Sequence, residues 1–202
     1  QILDEINTLI VAGYDTTANA LIYSLMVLGQ YQDVQEKAFK EIQEVFGDSD
    51  RDVDKYDIVK LKYLEAVIKE TMRLYTVAPA IGRKLTTDVK LKNCTLPAGT
   101  GCFLAIYGLH RNPEWGPDVE VFNPDRWINP ETIPNNPNLY APFGMGKRYC
   151  AGKTYAMMSL KTTLSHVLRH YRVTCDINKV VHQMVVLLKP ASCQHIILES
   201  RK

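Results

Sequence analysis

The chain carries almost no net charge: 24 Lys and Arg against 22 Asp and Glu over 202 residues leave +2. That balance gives no electrostatic case for a nucleic-acid partner. No apolar run approaches the roughly 18 residues that a membrane-crossing helix needs, and no signal-peptide pattern is present. The five cysteines (Cys94, Cys102, Cys150, Cys175 and Cys193) form neither a CxxC pair nor a zinc spacing. An odd number without a framework fits a reducing compartment. Repeats and low-complexity segments are lacking too. The remaining composition is that of a globular protein, 46% hydrophobic and 23% charged, long enough for one core.

The periodicity predicts a mainly α chain with small β-sheets, an α+β class. Ile2, Ile6, Leu9, Ile10, Gly13, Leu21, Leu25 and Leu28 keep helical spacing, giving one helix to about Tyr31. A polar-rich helix over Gln32–Phe46 ends at Gly47, and a third covers Val59–Tyr75, before Pro79. The pattern then becomes β-like, over Ile81–Thr86, Val89–Leu91, Cys94–Leu96 and Gly101–Ile106. Asn112 to Phe143 holds seven of the ten prolines and reads as a long meandering loop, which usually has a function. A last helix runs to about His170, followed by strand-like pieces at Tyr171–Cys175, Met184–Leu188 and His195–Leu198.

The most informative stretch is Phe143-Gly144-Met145-Gly146-Lys147-Arg148-Tyr149-Cys150-Ala151-Gly152. It sets a cysteine at the mouth of a helix, where unpaired N–H groups and the helix dipole favour a thiolate. Gly146 permits a left-handed turn. Gly152 removes the side chain where a flat group could press on the first helical turn. Arg148 offers a fork of donors suited to a carboxylate. Together these describe a haem with iron on sulfur and a propionate on arginine. The competing reading is a buried structural cysteine behind a glycine loop.

The stretch resembles, position by position, the haem-binding loop of the cytochrome P-450 monooxygenases: Phe, two residues, Gly, one, Arg, one, Cys, one, Gly. The resemblance implies haem b with Cys150 as axial ligand, and it extends along the chain. Ala12-Gly13-Tyr14-Asp15-Thr16-Thr17 is similar to the family's distal-helix motif, in which Asp15 and Thr16 would deliver protons and Ala12 and Gly13 would leave room for oxygen. From the residues alone, the same stretch reads as a weakened helix, since Gly costs about 1 kcal/mol there and the Thr16 hydroxyl can bond the carbonyl one turn back. In fatty-acid-hydroxylating branches a glutamate often precedes this glycine and esterifies the haem; Ala12 stands here instead, so no such link is expected. Glu70 and Arg73, an i, i+3 pair, fit the family's acid–arginine pair, and Arg126 supplies its third member. The resemblance makes this triad a lock for the cysteine loop. Arg83 would be a second propionate contact. Val77, Ala78, Ala80 and Ile81, with Val186, Leu187 and Leu188, match substrate-contact segments, although core packing explains them equally well. His110-Arg111 reads as structural.

The whole protein thus resembles a haem-thiolate monooxygenase of the animal microsomal class, insect members among them. One oxygen atom of O2 would enter a lipophilic small molecule, with electrons from NADPH through a flavoprotein reductase and cytochrome b5 as an optional second donor. Lys147, Lys153, Lys60, Lys62, Lys69 and Lys161 would make the basic face that receives the donor. The implied location is the cytosolic face of the endoplasmic reticulum membrane. Two rivals remain: a haem-thiolate isomerase or dehydratase, which commonly lacks the acid–threonine pair kept here, and a non-catalytic remnant or binding protein. Residues 1–202 read as a partial domain, from the distal helix to the C-terminus, without the N-terminal half and its anchor. Haem binding by this portion alone is expected to be weak, with apolar patches exposed on the first helix and the cysteine helix.

Overall fold

A computed structural model describes residues 1–191 and 196–201. Four helices form the core: α1 (Ile2–Gln30), α2 (Gln32–Phe46), α4 (Lys62–Leu74) and α6 (Lys153–His170), with the single-turn α3 (Lys55–Ile58) ahead of α4 and α5 (Ile106–Leu109) after the first sheets. Both α1 and α2 pack on α4 and on α6. Tyr23, Met26 and Val27 of α1 meet Ala38 and Ile42 of α2, Leu64, Val67 and Ile68 of α4, and Leu160, Leu164 and Leu168 of α6 in one apolar cluster. Truncating any of these leucines would cost about 2–5 kcal/mol.

The strands form four antiparallel pairs. β1 (Ile81–Lys84) pairs with β4 (Gly101–Leu104), placing Arg83 opposite Cys102. β2 (Val89–Lys90) pairs with β3 (Thr95–Leu96), and β5 (Tyr171–Thr174) with β8 (Ile197–Ser200). β6 (His182–Met184) and β7 (Leu188–Pro190) make a hairpin. Gln35 ties α2 to β5: its amide donates to Val173 O at 2.8 Å and accepts from Val173 N at 2.9 Å. Gly29 is where α1 meets the end of β5, since a Cβ there would lie 2.7 Å from Cys175 N. No described helix is long and apolar enough to cross a membrane.

Several boundaries differ from expectation. The third helix starts at Lys62 rather than Val59. Ahead of it Asp54 and Asp57 form a reciprocal capping box that nucleates the unforeseen α3. Ile106 opens a helical turn instead of ending a strand. The apolar run Met184–Leu188 is two strands and a turn, because Val185 and Val186 lie at the tip and are exposed. His195, expected at the start of the last strand, and Cys193 lie outside the described residues.

The proline-rich meander has an internal rule. Asn112-Pro113, Asn123-Pro124, Asn129-Pro130 and Asn136-Pro137 each open a 3-10 turn. The proline fixes φ at the first position of the turn, and the Asn side chains of residues 112, 129 and 136 accept the N–H two residues on.

Candidate haem-thiolate site

The cysteine turn is built by two glycines in the left-handed region, Gly144 at φ 71° and Gly146 at φ 73°. Only the second was expected. Between them and the helix, the Cys150 N–H donates to Phe143 O at 2.8 Å, closing the loop. Phe143 packs its ring against the apolar cluster and anchors the turn. Cys150 is a free, exposed thiol. Gly152 is the N-cap of α6, and a Cβ on it would lie 3.8 Å from Cys150 Sγ. The sulfur therefore sits against the residue that opens an 18-residue helix, at its electropositive end.

Two guanidinium groups belong to this loop. Arg148 is exposed within it, and Arg83 reaches it from β1, donating through Nη2 to Arg148 O at 3.4 Å and through Nη1 to Gly82 O at 2.8 Å. Ile81 touches the same turn: its Cδ1 would lie 3.5 Å from a Cβ on Gly144. The expected companions Arg83 and Arg148 are thus brought together.

These residues suit a haem. The single sulfur is exposed, the helix start beside it is bare, and two cations stand ready for carboxylates. Among the described residues no cluster of three or more His, Cys, Asp or Glu could complete a protein-only metal site. One thiolate is the donor set that fits an iron whose remaining ligands come from a porphyrin.

The distal motif lies midway along α1, which packs against α6. Thr16 Oγ1 donates to Ala12 O at 2.6 Å, the expected bond to the previous turn. Asp15 has a partner that sequence reading missed: buried Asn19 donates through Nδ2 to Asp15 Oδ1 at 3.2 Å and to Asp15 O at 2.8 Å. The spacing i, i+4 was its only signal. A methyl placed on Gly13 would meet no neighbour within 4 Å, so the surface there is open. Ile2, Leu3, Leu9, Ile10, Val11 and Tyr14 leave the first half of α1 exposed and apolar. On the cysteine helix the exposed apolar side chains are fewer, Tyr155 and Met158 beside Tyr149.

Glu70, Arg73 and Arg126 form a buried unit, at 0%, 0% and 2% exposure. Arg73 grips Glu70 with two donors, Nε to Oε2 at 2.9 Å and Nη2 to Oε1 at 2.8 Å. Arg126 Nε lies farther, 3.5 Å from Oε1. Two donors were not foreseen, Trp127 Nε1 at 2.9 Å from Oε2 and Asn123 N at 3.1 Å from Oε1. Arg73 also donates to the carbonyls of His110, Val119 and Val121, and Arg126 to those of Trp115 and Asp118. Asp118 Oδ2, 2.8 Å from Arg126 Nη2, supplies the second negative charge, and the donors not spent on Glu70 go to backbone carbonyls of residues 110–121. The unit holds that loop by chelating its backbone.

The apolar segments expected to touch substrate converge. Leu188 N donates to Val77 O at 2.9 Å, so the tail hairpin carrying Val186 and Leu187 docks on the turn carrying Val77, Ala78, Ala80 and Ile81. Leu188 itself is buried core, whereas Val186 is exposed. The basic face needs correction. Lys161 is buried, with Nζ bound to Ile58 O at 2.9 Å and Glu65 Oε2 at 2.5 Å. Lys69 pairs with the same Glu65 at 2.7 Å. Lys60, Lys62, Lys147 and Lys153 remain exposed, and the last two flank Cys150 in the chain.

A sequence profile of the cytochrome P-450 family matches residues 1–197. Cytochrome P-450 4c21 of Blattella germanica is 39% identical over 171 residues, 85% of this chain and 34% of that protein. Cytochrome P-450 4V2 of Homo sapiens is 40% identical over 170 residues, 84% of this chain and 32% of its own length. A crystal structure of a cytochrome P-450 (CYP102L1) superposes with a TM-score of 0.89 at 29% identity, covering 96% of this chain and 44% of that one. The chain spans about a third of the length of the curated relatives it matches.

Proposed function

This chain belongs to the cytochrome P-450 family, and from that premise we propose that it is the C-terminal portion of a haem-thiolate monooxygenase. The observation that carries the proposal is the presentation of Cys150: a turn with Gly144 and Gly146 at positive φ sets the sulfur against Gly152, with Arg83 joined to the same loop. A haem held there supplies the activation of O2 and the insertion of one oxygen atom into an organic substrate, with electrons from NADPH through a reductase.

The chain's own residues have distinct tasks. Cys150 holds the iron through its thiolate. Arg83 and Arg148 bind the propionates as charge-assisted donors. Asp15, its side chain oriented by Asn19, and Thr16 relay protons toward the haem face. Val77, Ala78, Ala80, Ile81, Val186 and Leu187 exclude water and line the path of a lipophilic substrate. Glu70, Arg73 and Arg126 do no chemistry; they fix the meander that leads into the cysteine turn. Lys147 and Lys153, which bracket Cys150, offer positive charge to an acidic electron donor at the cysteine end. The whole protein belongs at the endoplasmic reticulum membrane, and the apolar half of α1 is covered there by its own N-terminal part. The 202 residues alone hold haem weakly.

The test is isotopic. The complete protein, reconstituted with a flavoprotein reductase and NADPH and offered a medium-chain fatty acid as apolar probe, should place one atom of ¹⁸O2 in the product and release the other as water. Turnover of a fatty-acid hydroperoxide without O2 or reductase would instead favour an isomerase or dehydratase.

A further inference from the structure

One buried histidine is left over from the site above. His110 is fully buried at the C-cap of α5, between α4 and the segment that enters the cysteine turn. Its Nε2 accepts the backbone N–H of Ala141 at 3.0 Å. Its Nδ1 lies 2.8 Å from Thr76 Oγ1 and 3.2 Å from Arg73 O, and its own carbonyl accepts from Arg73 Nη1 at 3.0 Å. A backbone N–H can only donate, so Nε2 must be bare and the ring proton must sit on Nδ1. The same bonds exclude the imidazolium, which would set an N–H against the N–H of Ala141.

Ala141 is no neutral point on the chain. Its carbonyl accepts the N–H of Gly144 at 2.9 Å, closing the first turn of the cysteine loop, and Phe143 O accepts the N–H of Cys150 at 2.8 Å. The path from His110 to the sulfur-bearing residue is therefore three hydrogen bonds and the short segment they enclose. Tyr140, one residue earlier, is fastened to α4 by its hydroxyl on Lys69 O at 3.0 Å, and its ring lies 5.2 Å from the imidazole.

We propose that His110 is a positioning residue for the thiolate: a neutral imidazole whose bare Nε2 holds Ala141 and, through it, the turn that presents Cys150. The inference rests on the haem-thiolate reading of Cys150 for its consequence, though not for its geometry. Every charged group near the ring acts in the same direction or is already neutralised. Arg73 on α4 and Arg111, the next residue after His110, both disfavour a second cation, and Glu70 is taken up by Arg73. Burial is the larger cause, and the ring titrates at about 4 instead of 6.5. The neutral form that the bond to Ala141 requires is thus the form present at neutral pH.

The experiment uses the complete haem-loaded protein as wild type, His110→Phe and His110→Gln. Gln can offer its carbonyl oxygen where Nε2 stood; Phe offers nothing. Hydrogen exchange of the 141–150 segment is read against α4, together with the Soret position of the ferrous–CO complex across pH. In H110F, exchange of 141–150 should rise about ten-fold or more, the order expected for one buried N–H left unpaired, with α4 unchanged and part of the CO complex losing the red-shifted thiolate band. H110Q should keep both, and its band should survive to lower pH than that of wild type. Wild-type protection and spectrum in H110F overturn the inference, and so does failure of H110Q in the manner of H110F. Should H110F not fold, H110Q against wild type decides, since identical acid limbs contradict a role for the imidazole. A wild type without the red-shifted band at neutral pH defeats the haem-thiolate reading instead, and the exchange data then still decide whether His110 holds the segment.

Discussion

The indole N–H of Trp127 donates to Glu70 Oε2 at 2.9 Å, in a space where Glu70 has no solvent exposure. That oxygen also receives Arg73 Nε, while Oε1 receives Arg73 Nη2 and the N–H of Asn123. Removing the acid strands several donors at once, and removing one donor leaves the acid short by one bond. Glu70→Ala should therefore destabilise by about 3–5 kcal/mol, because the buried Arg73 guanidinium loses its counter-charge, whereas Arg126 keeps Asp118 Oδ2 at 2.8 Å. Trp127→Phe should cost about 1–3 kcal/mol. Urea unfolding of the two variants against wild type checks the order; a Trp127→Phe midpoint equal to that of wild type would mean the indole bond adds nothing.

Acid should unfold the protein in two successive windows. His110 is held neutral by burial, with a folded value of about 4 against 6.5, so its contribution is complete above about pH 6.5 and is lost as pH falls toward 4. That loss is roughly 3 kcal/mol. Asp57 behaves as a paired carboxylate, lowered to about 2 chiefly by its bond from Arg51. Its contribution is present above about pH 4 and is lost as pH falls toward 2. Because Arg51 is partly exposed, that second loss is smaller, about 1–2 kcal/mol. Stability measured at closely spaced pH values should show both slopes, with the first absent in His110→Gln and the second absent in Asp57→Asn.

How far these features could be read from the sequence depended on how local their chemistry is. Cys150, Arg148, Gly146 and Gly152 lie within seven residues, and their types alone specify a sulfur beside a bare helix start. Gly144 went unread because a neighbouring glycine already explained a turn. Asn19, Trp127 and the N–H of Asn123 matter only through where the chain returns to, and pattern does not carry that. Other signals were present and unused. The repeated Asn-Pro pairs mark the 3-10 turns of the meander. Lys161 stands three and seven residues before Leu164 and Leu168, on the face that α6 buries, so its burial was there to be seen. Val185 to Leu187 misled because an apolar run looks like a buried strand whether it crosses a sheet or forms a hairpin tip.

Replacing both Arg83 and Arg148 by Leu should loosen haem without unfolding the chain. Neither side chain is buried, and the bonds of Arg83 go only to two carbonyls. Haem transfer to apomyoglobin should become faster, while the urea midpoint should move by no more than about 0.5 kcal/mol equivalent. A large stability loss with unchanged haem transfer would assign these arginines a structural role instead.

Thr16→Ala should separate coupling from folding. The hydroxyl bonds Ala12 O within α1, a bond that slightly loosens the helix, and Ala is the better helix former. Stability should hold or rise by a few tenths of a kcal/mol. The fraction of NADPH converted to oxygenated product should fall, with more peroxide released. Unchanged coupling would leave Thr16 as a helix residue and nothing more.

The proposed ligation of haem iron by the Cys150 thiolate is read from the CO difference spectrum of the dithionite-reduced complete protein. Wild type should give a strongly red-shifted Soret band, lost in Cys150→Ser even where haem is retained. A band at the ordinary position in wild type, or a red-shifted band that survives Cys150→Ser, would contradict it.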